Sequence, residues 1–490
     1  MITRDFQSID ASTDQDTLIT RCNNMLNNVT KMIQEQPIYS TWIRFQVGKT
    51  EPLTFNTAST DELQNLIADF SMEKQGSGIT NSFTIRIIYD PFRYGQNPGD
   101  KIELLDDLVA TAMSLDIIDT SETNSNSSLN QLRGYIQYGY NNTSDSKLVS
   151  PKYQFMLTGA STSVNYENGI TIYTFTGTSD LAIDCDFNIS FPQFQNVSLL
   201  DVITTVLYCY YGDSSNPPDS SHILSNIKYV ENEYKYKIEI SDALYADSPT
   251  IENIEASASM SPWTYCKNLL DQYISKSDQQ KEEYKDLSTL KDCERPRYSM
   301  YMTDVADSKK IHLSYLSPKE IGSDVQLDYD FTWSRNDKNI VQKWEPQVQL
   351  QLYLVRKAEA IRKARLSENN PDSSTSIYEN LKNGNSMWDY IANLFTSKDK
   401  TIDINAIQHF IKDSETNAQI EDEMYDAELT LVGIPADFPI GVTMRIKPII
   451  GQAISRTAGI YKINSCTDNI DSSGVFTSTL KLLRIKGLNE

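Results

Sequence analysis

Residues 459–485 read GIYKINSCTDNIDSSGVFTSTLKLLRI. β-Branched and aromatic residues run on both sides of Asp471-Ser472-Ser473-Gly474, whose residue types suit a tight reversal. The stretch therefore predicts two strands joined by a turn. Asp468, Asp471 and Gly474 only faintly suggest a calcium loop, because the spacing is wrong and the closing glutamate is missing.

Working outward, AELTLVGIPADFP (427–439) and GVTMRIKPI (441–449) continue the β pattern, and residues 421–490 read as a C-terminal β domain. A second β-rich block lies near the start. TWIRFQV (41–47) and LTFNT (53–57) open it, and TDELQNLIADF (60–70) reads as an acidic helical stretch. In SMEKQGSGITNSFTIRIIYD (71–90), Phe83, Ile85 and Ile87 alternate with polar residues as in a half-buried strand. GYIQYGYNN, KYQFMLTG and GITIYTFTG (134–177) add short aromatic runs at spacings typical of a small barrel or sandwich, with Tyr138, Tyr140 and Tyr153 as barrel residues, after the polar loop SETNSNSS (121–128).

Between the blocks the period changes. NVSLLDVITTVLYCYYG (196–212) sets Leu200, Ile203, Val206 and Leu207 at helical spacing and stops at Gly212. SPWTYCKNLLDQYI (261–274) starts a second helix, with Ser261 as cap and Pro262 at its first position. YKYKIEI (234–240) and RYSMYMTDVADSKKIHLSYL (297–316) alternate as strands. The fold class expected is α+β, predominantly β. The divisions are a partly helical arm (1–40), a first β domain with an inserted loop and helix (41–195), an α+β middle domain (196–345), a strand-helix linker region (346–420) and the C-terminal β domain (421–490).

Composition narrows the function. A chain of 490 residues is too long for one core, and its 39% hydrophobic content supports several packed domains. The formal charge of −22 argues against a surface that grips nucleic acid. No run is apolar enough for a membrane helix, and the opening lacks a secretory pattern, so a soluble chain is expected. Cys22, Cys185, Cys209, Cys266, Cys293 and Cys466 are scattered without a C-x-x-C pair and read as reduced thiols. His222, His312 and His409 lie apart with no second ligand at metal spacing, and His312 reads as a strand residue. The Gly76-Ser77-Gly78 turn lacks the later glycine and the helix opening of a phosphate loop. No G-x-S-x-G elbow is present. No catalytic residue, cofactor or metal is assigned. Arg356, Lys357, Arg362, Lys363 and Arg365 form a basic run on an acidic chain; a solvated helix face is the plainer reading, docking of an acidic neighbour the alternative.

In order, four pieces resemble the baseplate hub and tail-tip proteins of tailed phages and related contractile particles. SMEKQGSGITNSFTIRIIYD is similar to that family's first barrel. The pair NVSLLDVITTVLYCYYG and SMSPWTYCKNLLDQYI, followed by PRYSMYMTD and KKIHLSYL, resembles its middle domain. FTWSRNDKNIVQKWEPQVQL (331–350) is similar to the segment leaving that domain, with Trp344 and Pro346 in place. The C-terminal strands resemble its closing barrel, with Gly459, Tyr461, Phe476, Thr477 and Arg484 matching.

The resemblance implies two small β-barrel tube-type domains flanking the α+β domain. It implies a non-enzymatic homotrimer whose pseudo-sixfold ring joins the tail tube protein to the central spike protein among other baseplate proteins. Its place would be the virion tail, assembled in the host cytoplasm, with DNA passing through the lumen unbound. The long region 367–419 has no counterpart in the family. The rival reading is a cell-wall or polysaccharide hydrolase or adhesin at a tail tip.

Overall fold

A computed structural model describes residues 15–35, 40–48, 50, 52–56, 67–75, 81–90, 99–114, 132–140, 148–179, 189–232, 234–285, 295–305, 308–317, 327–332, 340–347, 426–436, 438, 443–450 and 453–487. The Gly76-Ser77-Gly78 turn, the 121–128 loop, residues 348–420 of the expected linker region with the basic run Arg356, Lys357, Arg362, Lys363 and Arg365, His409, Cys185 and Cys293 lie outside the described residues.

Helix α1 (Gln15–Glu35) buries Ile19, Cys22, Leu26, Val29 and Met32, three or four residues apart, as one apolar stripe. The first β unit follows: β1 (Thr41–Val47), β2 (Leu53–Asn56), β3 (Ile67–Gln75), β4 (Ser82–Tyr89), β5 (Arg133–Tyr140), β6 (Tyr153–Val164) and β7 (Thr171–Thr178), with α2 (Gly99–Ser114) inserted after β4. Its antiparallel ladders give the order β2-β1-β5-β6-β7-β4-β3. In β4, Phe83, Ile85, Ile87 and Tyr89 point inward, as the alternation predicts. Phe45 meets Phe83, Phe155 and Phe175 at centroid distances of 6.0, 5.6 and 5.5 Å. Each such buried ring contributes about 1.5–3 kcal/mol of transfer free energy.

The stretch read as an acidic helix is corrected at its end, since Ile67, Ala68, Asp69 and Phe70 open β3. Local helix propensity yields there to a strand hydrogen-bonded on both edges, to β4 and to a strand from the far end of the chain.

The middle segment has its own core. It comprises β8 (Ile189–Phe191), β9 (Phe194–Ser198), α3 (Leu199–Tyr211), β10 (Lys237–Glu239), β11 (Thr250–Ile254), β12 (Ser257–Met260), α4 (Pro262–Gln272), β13 (Arg297–Val305) and β14 (Ser308–Leu316). The cap read for α4 is present: the Ser261 hydroxyl accepts from Thr264 N at 3.1 Å, with Pro262 opening the helix. α3 ends at Gly212, though by an extended residue (φ −71°) rather than a left-handed one. The strand expected over 234–240 shrinks to three residues, because Lys235 turns to φ 54° under the Asn232 side chain. The hairpin of β13 and β14 forms in full register, Arg297 opposite Leu316 and Val305 opposite Ser308.

The last unit holds β15 (Leu327–Thr332), β16 (Val341–Pro346), β17 (Ala427–Val432), β18 (Thr443–Ile450), β19 (Ala453–Ile454), β20 (Gly459–Asp471) and β21 (Phe476–Gly487). Spatially they run β16-β17-β21-β20-β18-β15, with β15 and β18 parallel. The fold is α+β and mainly β. Among the described residues no ladder closes either terminal unit into a barrel.

Candidate functional site at the seam of the two β units

The two ends of the chain meet in one ladder. Strand β20 is long enough to serve two neighbours on one edge: residues 459–462 pair with β18, and residues 465–471 pair with β3 from Gln75 opposite Ser465 to Asp69 opposite Asp471. β21 covers the other edge. A single apolar cluster runs through both units, from Val29 and Phe45 to Ile470 and Leu482.

At the middle of this seam sits a polar group sealed from solvent. Lys74 of β3 is 2% exposed and Asp468 of β20 is 0% exposed, with Nζ 3.3 Å from Oδ2. Lys74 also donates to the Ala436 carbonyl at 3.1 Å and lies 4.7 Å from the Tyr153 ring centroid. Asp468 accepts from the Tyr138 hydroxyl on Oδ2 and from the Ser478 hydroxyl on Oδ1, each at 2.5 Å. Ser478 in turn accepts from Ile434 N at 2.8 Å, and Tyr140 donates to the Gly433 carbonyl at 2.6 Å. β3, β5 and β6 of the first unit thus grip β20, β21 and the 433–436 loop of the last.

The electrostatics follow from this enclosure. Burial pushes the Tyr138 hydroxyl well above its ordinary value, and the Asp468 charge pushes it further. For Lys74, burial acts to lower the pKa, but the surrounding Tyr138, Tyr153 and Asp468 oxygens reverse it and hold the ammonium well above its usual range. A charged pair so enclosed survives only with its remaining valences filled, as they are here. Chemically the cluster fixes the register of two sheets and offers no face to a substrate.

Smaller polar groups tie the middle segment. His312 is a buried strand residue as expected: Nε2 is 3.0 Å from Thr303 Oγ1, Nδ1 is 3.1 Å from Glu239 Oε2, and Lys310 bonds the same carboxylate at 3.2 Å. Burial works to raise the Glu239 pKa, but the His312 and Lys310 contacts lower it overall. His222 bonds Asp201 at 2.8 Å and stacks on Tyr245 at 3.6 Å. Asp471, the residue of the discounted calcium pattern, spends its Oδ1 on Ser473 N and Val475 N of the β20–β21 turn, where Gly474 takes φ 81°. Cys22, Cys209, Cys266 and Cys466 are buried. Among the described residues no three His, Cys, Asp or Glu side chains are grouped for a metal ion. No described helix is long and apolar enough to cross a membrane.

Tyr138, Tyr140 and Tyr153, expected as barrel residues, lie in β5 and β6. Sequence reasoning did not single out Lys74, and it weighed Asp468 only as a metal ligand; their pairing spans 394 positions and leaves no local signal.

No protein-family model matches the chain, and no curated protein matches it significantly. Its structure is similar to those of tail proteins. One is the tail protein from Neisseria meningitidis MC58, at 7% identity and a TM-score of 0.40 over 90% of this chain and 96% of that one. Another is the 43 kDa tail protein of prophage MuSo2 from Shewanella oneidensis, at 9% identity and 0.41 over the same shares. A third is an E. coli component of the type VI secretion system, itself similar in structure to bacteriophage T4 tail proteins, at 9% and 0.36 over 86% and 74%. At such identities no residue role passes from them to this chain.

Proposed function

We propose that this chain is a structural hub protein of a phage-type tail or baseplate, working through its surfaces. In this reading three copies form a pseudo-sixfold ring that joins the tail tube to the central spike. The observation that carries it is the seam. The first and last β units, which resemble hub barrels in sequence order, are joined edge to edge and share one core, with the α+β segment between them in the chain. Two similar β units per copy would give a trimer six quasi-equivalent positions, as a sixfold-to-threefold adaptor requires. A rigid joint suits a part that must pass load from tube to spike, and a buried pair with all its partners in place supplies rigidity.

The net charge of −22 fits a lumen from which DNA is repelled. In this proposal the run Arg356, Lys357, Arg362, Lys363 and Arg365 docks an acidic neighbouring baseplate protein, and the hub carries no catalytic site. Light scattering of the purified protein followed by negative-stain imaging tests the reading. A trimeric mass and threefold rings with a central hole are expected; a monomer that stays monomeric in the presence of its spike overturns it.

A further inference from the structure

The face of the joined sheet turned away from the core is built from short hydroxylic side chains. In β4, β7, β3, β20, β21 and β17 the inward residues include Phe83, Phe175, Phe70, Ile470, Leu480 and Leu429, and the residues between the inward ones point outward and are partly exposed. One outward row passes from strand to hydrogen-bonded strand through Thr178, Ser82, Glu73, Thr467, Thr479 and Thr430. The next passes through Thr176, Thr84, Ser71, Asn469 and Thr477. Both rows cross the seam without a break, and the Thr430 and Thr479 hydroxyls lie 3.4 Å apart.

Glu73 is the one charged residue in the two rows, and neither row holds an aromatic or an arginine. The charges that flank them have neighbours of opposite sign: Arg86 and Asp69 pair at 2.9 Å, and Lys481 lies opposite Glu428. Asp471, opposite Asp69, is bonded within its own turn. A docking face is marked by aromatic, methionine or arginine anchors, and a face that grips DNA by lysine and arginine. These rows carry neither mark. From β7 to β16 the face is seven strands wide, about 34 Å at roughly 4.8 Å per strand. Three such faces closed into a ring would run about 100 Å around, or about 32 Å from backbone to backbone. Short side chains leave room there for a nucleic-acid duplex.

We infer that this hydroxyl-rich face is the wall of the hub's channel and that DNA passes it without an electrostatic hold. The inference rests on the hub reading. The acidity of the surrounding body repels the polyanion at range, and the rows offer its phosphates no cation.

Thr84→Cys places one thiol in the middle of the face. The full-length variant is labelled with a maleimide gold cluster, and its rings are imaged beside rings of the unsubstituted chain put through the same labelling, which records the native cysteines. Added density inside the central hole is expected; added density on the outer rim or between copies overturns the wall while leaving the ring. If neither chain forms rings even with its spike, the hub reading fails and the inference fails with it. A second measurement reads the charge, by offering a short DNA duplex to the rings at about 50 mM salt. Wild-type rings are expected not to retain it, and S71K/T84K rings to retain it about tenfold better or more, with the gain lost by about 200 mM salt. Wild-type rings that hold the duplex at low salt and release it at high salt, or lysine rings that gain nothing, overturn the inference.

Discussion

Removing one partner of the Lys74–Asp468 pair shows how much the seam depends on it. In Lys74→Met the Asp468 carboxylate stays buried and keeps the Tyr138 and Ser478 hydroxyls, but loses its counter-charge, and the Ala436 carbonyl loses a donor. Breaking a buried pair from one side costs about 3–5 kcal/mol. Asp468→Leu should cost at least as much, because it strands the ammonium and leaves two buried hydroxyls without their acceptor, at about 1–3 kcal/mol each before relaxation. The double variant K74M/D468L removes both charges and should recover the part of the loss that comes from a stranded charge, while the Tyr138 and Ser478 hydroxyls and the Ala436 carbonyl remain without these partners. The described residues form two cores, so a single global unfolding free energy is not defined for the chain. The readout is therefore hydrogen exchange in a urea series, comparing peptides from β3 and β20 with α4 as internal control. The reasoning fails if Lys74→Met lowers the opening free energy of β3 by less than about 1 kcal/mol, or if the double variant opens as readily as the worse single one.

Alkaline pH should loosen the same seam. Tyr138 and Lys74 both hold their protons more tightly folded than unfolded, so their contribution is complete below about pH 10 and is lost as pH rises above it. A urea midpoint for β3 and β20 that is level from pH 7 to 9 and drops beyond pH 10 is the expected profile; a drop already complete by pH 8 would contradict it. Gly433→Ala would set a Cβ against the Phe476 ring, and forcing that ring aside should cost about 1–3 kcal/mol in the terminal units, read by the same exchange experiment. In the middle segment, Ser261→Ala removes the α4 cap and should cost about 1 kcal/mol, with Ser261→Asp retaining most of it and β3 exchange unaffected.

What was legible in the sequence follows the range of the interaction that fixes each element. The α4 start is written in four consecutive residues, Ser261 to Thr264, and its reading held. The β13–β14 hairpin is fixed by two adjacent alternating runs, and it too was read correctly. The end of TDELQNLIADF was misread because its conformation is set by β20, and a helical pattern of acidic and apolar residues says nothing about a strand some 400 positions away. Lys74 is the sharpest case. In SMEKQ it looks like an exposed strand residue beside Glu73, and only the β3–β20 register turns it inward.

The same logic explains why an isolated first unit would be an unsound object to study. β3 would lose the ladder on its β20 edge, and Tyr138, Tyr153 and Lys74 would face the place where Asp468 and Phe476 belong. An uncovered seam with a buried-type lysine and stacked aromatic rings combines an open strand edge with unpaired polar groups. The two β units are accordingly one folding body despite being drawn from opposite ends of the chain. The middle segment is held in a core of its own and meets the joint where Val305 of β13 pairs with Tyr153 of β6.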